Sequence, residues 1–238
     1  FVGRYKTIFK KYFNIKNIYE EVIGEELIKK YDTIFHVTLE IKALSHQKYN
    51  RQNIEQLVTN YFSVPKFRSF IKKENSSIKK ISIFPISCSP IRSMPFDLLN
   101  LIIFKFIKKI DIEIILDNQS EISNYIEKKL DLINVRIIHP ENLNQLLKTI
   151  ENINFGIFMD SGPLHVAKIL NKKGILISSS VGKHTLLSDL KNIQSIDNDY
   201  KSIYCSAPCG LVNIFNYRNK VGCYDSLEVS IVLLQFCN

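Results

Sequence analysis

From residue 78 onward, short apolar runs alternate with segments in which apolar residues recur every three to four positions. The apolar runs predict six strands, at 81–86, 112–116, 135–138, 155–159, 175–178 and 193–196. The periodic segments predict helices, at 94–109, 119–130, 142–150, 163–170, 186–190 and 226–236. Alternating strands and helices form βαβ units, and continuous apolar runs are typical of strands covered on both faces. The pattern therefore predicts an α/β fold with a parallel sheet.

Residues 1–77 have a less regular pattern. Their predicted elements are two helices and one strand, at 20–31, 53–62 and 33–39. This is too little for a complete doubly wound domain, and Asn75–Ser77 is the best candidate for a linker. We therefore predict a partial domain at 1–77 and a larger domain at 78–238. Because the chain begins with Phe1 rather than Met, we expect a fragment or a processed product.

The composition limits the classes of partner. The chain has 238 residues, of which 45% are hydrophobic, and its most apolar stretch, 98–107, is too short and too interrupted to span a bilayer. The net charge of +9 suggests an anionic partner, but the seven Lys-Lys pairs are spread along the sequence. We therefore favour a solvated lysine-rich surface over a nucleic-acid interface, with an anionic membrane surface as a further alternative.

The cysteines indicate a reduced protein. There are five, an odd number, and no export signal precedes them, so a cytosolic location is the default. Cys205, Cys209 and Cys223 cluster as C-x3-C-x13-C. A zinc site requires four ligands at tighter spacing, so packing within an irregular loop is favoured over metal binding.

The stretch 155–170 carries the strongest functional signal. An apolar strand is followed by the turn Asp-Ser-Gly-Pro and then by a helix. A helix that starts there directs unpaired N–H groups and the positive end of its dipole above the strand, which suits a phosphate group. Ser161 or Gly162 is the predicted cap, Gly162 permits close approach to the backbone, and Pro163 is expected at the first helical position. His165, in the first turn, can donate to an anion or be structural.

The loop after the first strand offers a second set of phosphate ligands. Ser87 and Ser89 supply hydroxyls, and Arg92 supplies a guanidinium group suited to phosphate oxygens. Ser93 is the predicted cap of the next helix. The alternative for this loop is an ordinary turn with an exposed arginine.

Two acids complete the candidate site. Asp160 can accept hydrogen bonds from sugar hydroxyls or cap the helix that follows it. Glu121 can accept from a ribose hydroxyl, or it can be an acid favoured by the dipole at the start of its helix.

These residues resemble those of a known family. Residues 160–165, D-S-G-P-L-H, followed by Val-Ala-Lys, are similar to the signature of glycosyltransferase family 9, the bacterial heptosyltransferases that build the lipopolysaccharide core. Segment 84–99 resembles the phosphate-contacting loop of that family, and Glu121 falls where the family has a nucleotide-contacting acid. Segments 205–210 and 222–223 resemble its cysteine-containing C-terminal region. The match extends over much of 78–238.

The resemblance implies a GT-B-like fold. In it a Rossmann-type, doubly wound C-terminal domain at 78–238 binds the nucleotide-sugar donor, and a partial N-terminal α/β domain at 1–77 lies on the acceptor side. The residues implied in binding the donor diphosphate are Ser87, Ser89, Arg92, Ser161, Gly162, Pro163, Leu164 and His165. Asp160 is implied near the sugar and Glu121 near the ribose. Inverting transfer also needs a carboxylate base, and no residue is assigned to that catalytic role.

We therefore expect a cytoplasmic glycosyltransferase that moves a heptose-like sugar from a nucleotide-diphosphate donor, with an ADP-sugar favoured, to a lipopolysaccharide or related glycan acceptor. No cofactor, metal or nucleic acid is expected, and peripheral contact with the inner membrane stays open. Two alternatives also stay open. One is a catalytically incompetent nucleotide-sugar binder or fragment, and the other is a basic adaptor that binds nucleic acid or an anionic membrane.

Overall fold

The computed structural model describes residues 6–13, 29–30, 78–88, 92–130, 135–179, 181–187 and 190–196. The chain divides into two compact units, Phe1–Pro65 and Lys66–Asn238. In the first unit, helix α1 (Lys6–Phe13) was not predicted, and Lys29–Lys30 form a turn where the predicted helix 20–31 was to end. The predicted boundary between 77 and 78 stays a prediction. Several other predictions lie outside the described residues, namely the rest of helix 20–31, the elements at 33–39, 53–62 and 226–236, Ser89 and the three clustered cysteines.

The second unit alternates strands with helices along its whole described length. In chain order its elements are β1 (Lys80–Phe84), α2 (Phe96–Phe106), β2 (Asp111–Ile115), α3 (Glu121–Lys129), β3 (Val135–Ile138), α4 (Leu143–Glu151), β4 (Phe155–Phe158), α5 (Gly162–Ile169), β5 (Gly174–Ile177), α6 (Lys183–Leu186) and β6 (Ile193–Ile196). The six predicted strands are confirmed, and each predicted strand boundary lies within two residues of the observed one.

The six strands form one parallel sheet in the order β3-β2-β1-β4-β5-β6. The chain therefore winds outward from β1 in one direction and then crosses to β4 to wind outward in the other. All strands end at the same side of the sheet, which we call its carboxyl end, and begin at its amino end. The predicted α/β fold with a parallel sheet is confirmed. Ligands of such sheets bind beyond the carboxyl end where the strand order reverses, which is between β1 and β4.

The core lies on both faces of the sheet because its central strands are apolar at nearly every position. Ile83, Ile157 and Ile175 on one face are fully buried with the inner side of α2. Phe84 and Phe158, from neighbouring strands, stack with ring centroids 5.1 Å apart. Burial of an aliphatic or aromatic side chain of this kind contributes about 1.5–3 kcal/mol.

Three local predictions are corrected by the structure. Ser93 does not cap α2: the helix begins after Pro95 without a side-chain cap, because the Ser93 hydroxyl accepts from the backbone N–H of Ser87 at 3.0 Å. Pro163 is the second residue of α5, since Ser161 is the N-cap. The short helix predicted at 186–190 is observed earlier in the chain, as α6, which begins after Gly182 and ends at Leu186.

Candidate functional site at the carboxyl end of the sheet

The loops that follow β1 and β4 are tied together where the strand order reverses. The Ser87 hydroxyl donates to the backbone carbonyl of Asp160 at 2.6 Å, across the boundary between the two halves of the sheet. The Ser87 backbone is held in turn by Ser93, and the amide of Met94 donates to the carbonyl of Pro85 at 2.7 Å. Ser87 is buried, and its proton is committed to Asp160. In this arrangement Ser87 fixes the spacing of the two loops.

Arg92 and Asp160 form an ion pair at the same place. The Nη1 atom of Arg92 lies 3.0 Å from Oδ2 of Asp160, and the two side chains are only 18% and 7% exposed. The Nη2 atom also contacts Sγ of Cys88. The Nε atom of Arg92 is buried and has no hydrogen-bond partner among the described residues. The pair therefore fixes the plane of the guanidinium group and leaves N–H groups for another acceptor.

Helix α5 begins directly beside this pair. Its N-cap is Ser161, which makes no side-chain cap bond, and the Ser161 hydroxyl lies instead 3.3 Å from the carbonyl of Met159. Gly162 is exposed, and a Cβ atom placed on it would meet nothing within 4 Å. Pro163 has no N–H, and the Leu164 amide donates to the Ser161 carbonyl at 3.1 Å. Gly162 is thus the position where the space next to the backbone is open.

The structure brings together most of the predicted residues. Ser87, Arg92 and Asp160 are joined by the contacts above, and Ser161 and Gly162 follow Asp160 in the chain. His165 is exposed in the first turn of α5, whereas the Leu164 side chain is fully buried in the core, so Leu164 can contribute only its backbone.

Glu121 is the first residue of α3, after β2, and its side chain is exposed. It lies at the carboxyl end of the strand next to β1, although no contact joins it to the Arg92–Asp160 pair. Its helix is capped by Ser120, whose hydroxyl accepts from the Ser123 amide at 3.0 Å. The position of Glu121 agrees with either of its two interpretations.

Asp117 holds the turn that leads into α3. Its Oδ1 atom accepts from the amides of Gln119 at 3.0 Å and Ser120 at 2.6 Å. Burial acts to raise the pKa of Asp117, but these two amides and the hydroxyls of Ser120 and Ser123 outweigh it, so the pKa lies below its usual value of 3.8. Asp117 is therefore an ionised acid with a structural task.

Sequence reasoning missed Ser179, two residues beyond β5. It is 1% exposed, and its hydroxyl has no hydrogen-bond partner among the described residues. The neighbouring Ser178 hydroxyl is paired with that of Ser195 at 3.1 Å. A buried hydroxyl is normally paired, so Ser179 is a candidate ligand contact. The signal in the sequence was the run of three serines directly after an apolar strand.

The described residues include neither a candidate metal centre nor a candidate membrane span. Within them, no three His, Cys, Asp or Glu side chains are grouped so that they can hold a metal ion. No helix in the same residues is long and apolar enough to cross a membrane.

Comparisons with known proteins gave structural matches alone. No family model and no curated protein matches the chain. Similar solved structures include E. coli ADP-heptose lps heptosyltransferase II, at 17% identity, with 60% of this chain and 42% of that one covered and a TM-score of 0.44. They also include E. coli heptosyltransferase WaaC with ADP, at 12% identity, with 82% of this chain and 52% of that one covered and a TM-score of 0.49. The same enzyme with ADP-2-deoxy-2-fluoro heptose matches at 12% identity, with 60% of this chain and 48% of that one covered and a TM-score of 0.43. This chain thus spans about half the length of each of these proteins.

Proposed function

We propose that residues 78–238 form the donor-binding domain of a GT-B-like glycosyltransferase. In this proposal the protein transfers a heptose-like sugar from a nucleotide-diphosphate donor, with an ADP-sugar favoured, to a lipopolysaccharide or related glycan acceptor. The proposal rests on two things taken together. One is the D-S-G-P-L-H segment, and the other is the position of that segment at the point where the strand order reverses.

The observation that carries the proposal is the Arg92–Asp160 pair beside the start of α5. An arginine that is oriented by a buried carboxylate presents its remaining N–H groups in a fixed direction, and this is suited to phosphate oxygens. The accessible backbone at Gly162 adds an uncharged N–H donor next to the arginine, and the positive end of the α5 dipole adds partial positive charge. A diphosphate group fits this combination of donors.

The same arrangement suits the chemistry of the leaving group. Negative charge grows on the diphosphate as its bond to the sugar breaks, and donors that are already oriented stabilise that charge without rearrangement. Arg92 and the Gly162 amide would provide this stabilisation, with His165 as a further donor. Because Asp160 is committed to Arg92, we assign it first to positioning the guanidinium group, and its contact with sugar hydroxyls stays a prediction.

Two further residues would define the rest of the donor. Glu121 is proposed to accept from the ribose, since it follows β2 at the same end of the sheet. The Ser179 hydroxyl is proposed to contact the donor from the side of β5, since nothing among the described residues satisfies it. The catalytic base that inversion requires is assigned to no residue.

Calorimetric titration of the full chain with ADP and with UDP tests the donor site. Arg92→Ala and His165→Ala should each weaken ADP binding by about 1–3 kcal/mol, the range for a charge-assisted contact. The matched control is Arg136→Ala, which removes an arginine whose side chain is 74% exposed and paired with Glu113 on β2. Its affinity for ADP should be unchanged.

Unchanged affinity in both site variants would reject the assignment of the site. His165→Ala keeps this test independent of folding, because His165 is exposed and Arg92 is not. Transfer of heptose from ADP-heptose to a lipopolysaccharide that lacks core heptose would separate an enzyme from a binder. ADP binding without transfer favours the alternative of an incompetent nucleotide-sugar binder.

A further inference from the structure

The topology gathers lysines that the sequence spreads out. Because the strands are parallel, the first residue of each strand and the three residues before it share the amino end of the sheet. Seven lysines occupy such positions before or at the start of β1, β2, β5 and β6, namely Lys79, Lys80, Lys108, Lys109, Lys172, Lys173 and Lys191. We call these seven residues the basic end.

Backbone contacts confirm that these segments lie side by side. The Lys79 carbonyl accepts from the amide of Asp111 at 3.3 Å, and the Lys173 carbonyl accepts from the amide of Gly156 at 3.0 Å. Asn192, which follows Lys191, accepts from the amide of Gly174 at 3.1 Å. The five strands from β2 to β6 span about 20 Å at the usual strand spacing. Three of the seven Lys-Lys pairs therefore lie at one end of the same sheet, at β1, β2 and β5, although they are far apart in sequence.

The basic end carries little compensating negative charge. Among the described residues at the first position of a strand or in the three positions before it, Asp111 is the one acid. Lys80 is paired with Glu113 at 3.0 Å, and Lys172 donates to the carbonyl of Glu151. Lys79, Lys108, Lys109 and Lys191 are exposed. A concentration of lysines of this kind is complementary to a polyanionic surface.

An exposed apolar stripe adjoins the basic end. On α2, Phe104 is 82% exposed and Leu101 is 51% exposed. Leu101 and Phe104 are three positions apart on α2 and share one of its faces. Helix α2 ends at Phe106, and Lys108 and Lys109 lie in the turn that follows it, before β2.

We propose that this face and the basic end bind the surface of an anionic phospholipid bilayer. A phenyl ring and a leucine with lysines beside them are the composition of an interfacial helix, which inserts apolar side chains among headgroups while lysines contact the phosphates. Nucleic-acid backbones would engage the lysines but leave Phe104 in water. The proposal is independent of the proposed function, because these residues lie at the opposite end of the sheet from Arg92 and Gly162.

Co-sedimentation of the full chain with vesicles tests the basic end. Binding is expected to vesicles of phosphatidylcholine mixed with phosphatidylglycerol, not to phosphatidylcholine alone, and it should weaken with salt. Lys108→Ala/Lys109→Ala should reduce partitioning about 25-fold, about fivefold for each lysine near the surface. Lys10→Ala/Lys11→Ala removes the same charge from α1 in the other unit and should leave partitioning unchanged.

The apolar part of the surface has its own readout. The chain contains no tryptophan, so Phe104→Trp introduces a single tryptophan, which can be excited separately from the tyrosines. Its emission should shift to the blue with the mixed vesicles and stay constant with phosphatidylcholine alone. Phe104→Ser should reduce partitioning about tenfold, as expected for loss of one buried aromatic ring.

Three results would overturn the proposal. These are equal losses in the Lys10/Lys11 control, constant emission of Phe104→Trp with the mixed vesicles, and tighter binding to duplex DNA that depends on Lys108 and Lys109. The third result would assign the basic end to nucleic acid. ADP titration of the same variants keeps the two proposals distinct, since their affinity for ADP should equal that of the natural sequence.

Discussion

The two ends of the sheet carry opposite chemistry. At the carboxyl end, buried polar side chains from two loops bond to each other beside an open backbone at Gly162. At the amino end, lysines precede four of the strands, and the backbone is packed without space at Gly174. Because strands and helices alternate in a parallel sheet, residues just before a strand lie at the amino end and residues just after a strand lie at the carboxyl end. The two proposals thus place a site for a small anion at one end of the sheet and a surface for an extended polyanion at the other.

The packing of the amino end gives the largest expected effect. A Cβ atom on Gly174 would lie 2.3 Å from the backbone oxygen of Gly156, and backbone on a central strand cannot move aside. We expect Gly174→Ala to lower the free energy of unfolding by about 3 kcal/mol. Urea unfolding followed by circular dichroism measures this change.

Gly162→Ala is the matched control at the other end, because a Cβ atom there meets nothing within 4 Å. Its free energy of unfolding should be unchanged or slightly raised. Equal destabilisation in both variants would contradict the contrast between a closed and an open end.

Breaking the ion pair at the carboxyl end should give the second-largest loss of stability. Arg92→Met leaves the carboxylate of Asp160, which is 7% exposed, without its partner. Breaking a fully buried pair costs about 3–5 kcal/mol, and since Arg92 is 18% exposed we expect a loss of about 2 kcal/mol. Arg136→Met removes a side chain that is 74% exposed and lies 3.5 Å from Glu113, which keeps its contact with Lys80 at 3.0 Å, so it should cost at most about 0.5 kcal/mol.

A double variant sharpens this prediction. Arg92→Met/Asp160→Asn removes both charges, so it should be more stable than Arg92→Met alone. A double variant that loses the full sum of the two single changes would show that the residues act independently.

The hydroxyl that ties the two loops gives a smaller effect. Ser87→Ala removes the 2.6 Å bond to the buried carbonyl of Asp160 and should cost about 1 kcal/mol. Ser161→Ala is the control. Because the Ser161 hydroxyl makes no cap bond, its removal should lower the free energy of unfolding by less than removal of an ordinary N-cap serine. Thermal unfolding of both variants would rank them, and a larger loss for Ser161→Ala would contradict the geometry.

The sequence predicted the elements well because their apolar periodicity is local. The observed limits of β3 and β6 are those predicted, and every predicted helix within the described residues lies near an observed one. Strand order was not predictable in this way, and the Arg92–Asp160 pair depends on it, because the two residues are 68 positions apart. Ser93 does not cap α2 for a related reason. Its hydroxyl bonds to the amide of Ser87, and Ser87 is held in place by its bond to Asp160 on the loop after β4.

The grouping of lysines at the basic end could have been predicted from the sequence. Each of the pairs at 79–80, 108–109 and 172–173 ends one to three positions before a predicted strand begins. In a parallel sheet this common position is enough to bring the pairs to one end, whatever the order of the strands. Spacing along the chain was therefore the wrong measure of how dispersed the lysines are.

The smallest expected effect concerns Asp117, the acid whose pKa is lowered at the carboxyl end of β2. A pKa that is lower in the folded protein means that ionised Asp117 stabilises the fold. That contribution is complete well above pH 3.8 and is lost as the pH falls through the lowered value. Since Asp117 is exposed, solvent screening limits the contribution to about 0.5 kcal/mol.

Asp117→Asn separates this charge from the hydrogen bonds, because an amide oxygen can still accept from Gln119 and Ser120. The natural sequence should be more stable than Asp117→Asn near neutral pH, and the difference should vanish in acid. Asp117→Ala loses the hydrogen bonds as well, so it should stay less stable at every pH. Urea unfolding of the three proteins across the acid range measures both differences. A difference between the natural sequence and Asp117→Asn that does not change with pH would show that the turn depends on its hydrogen bonds and not on its charge.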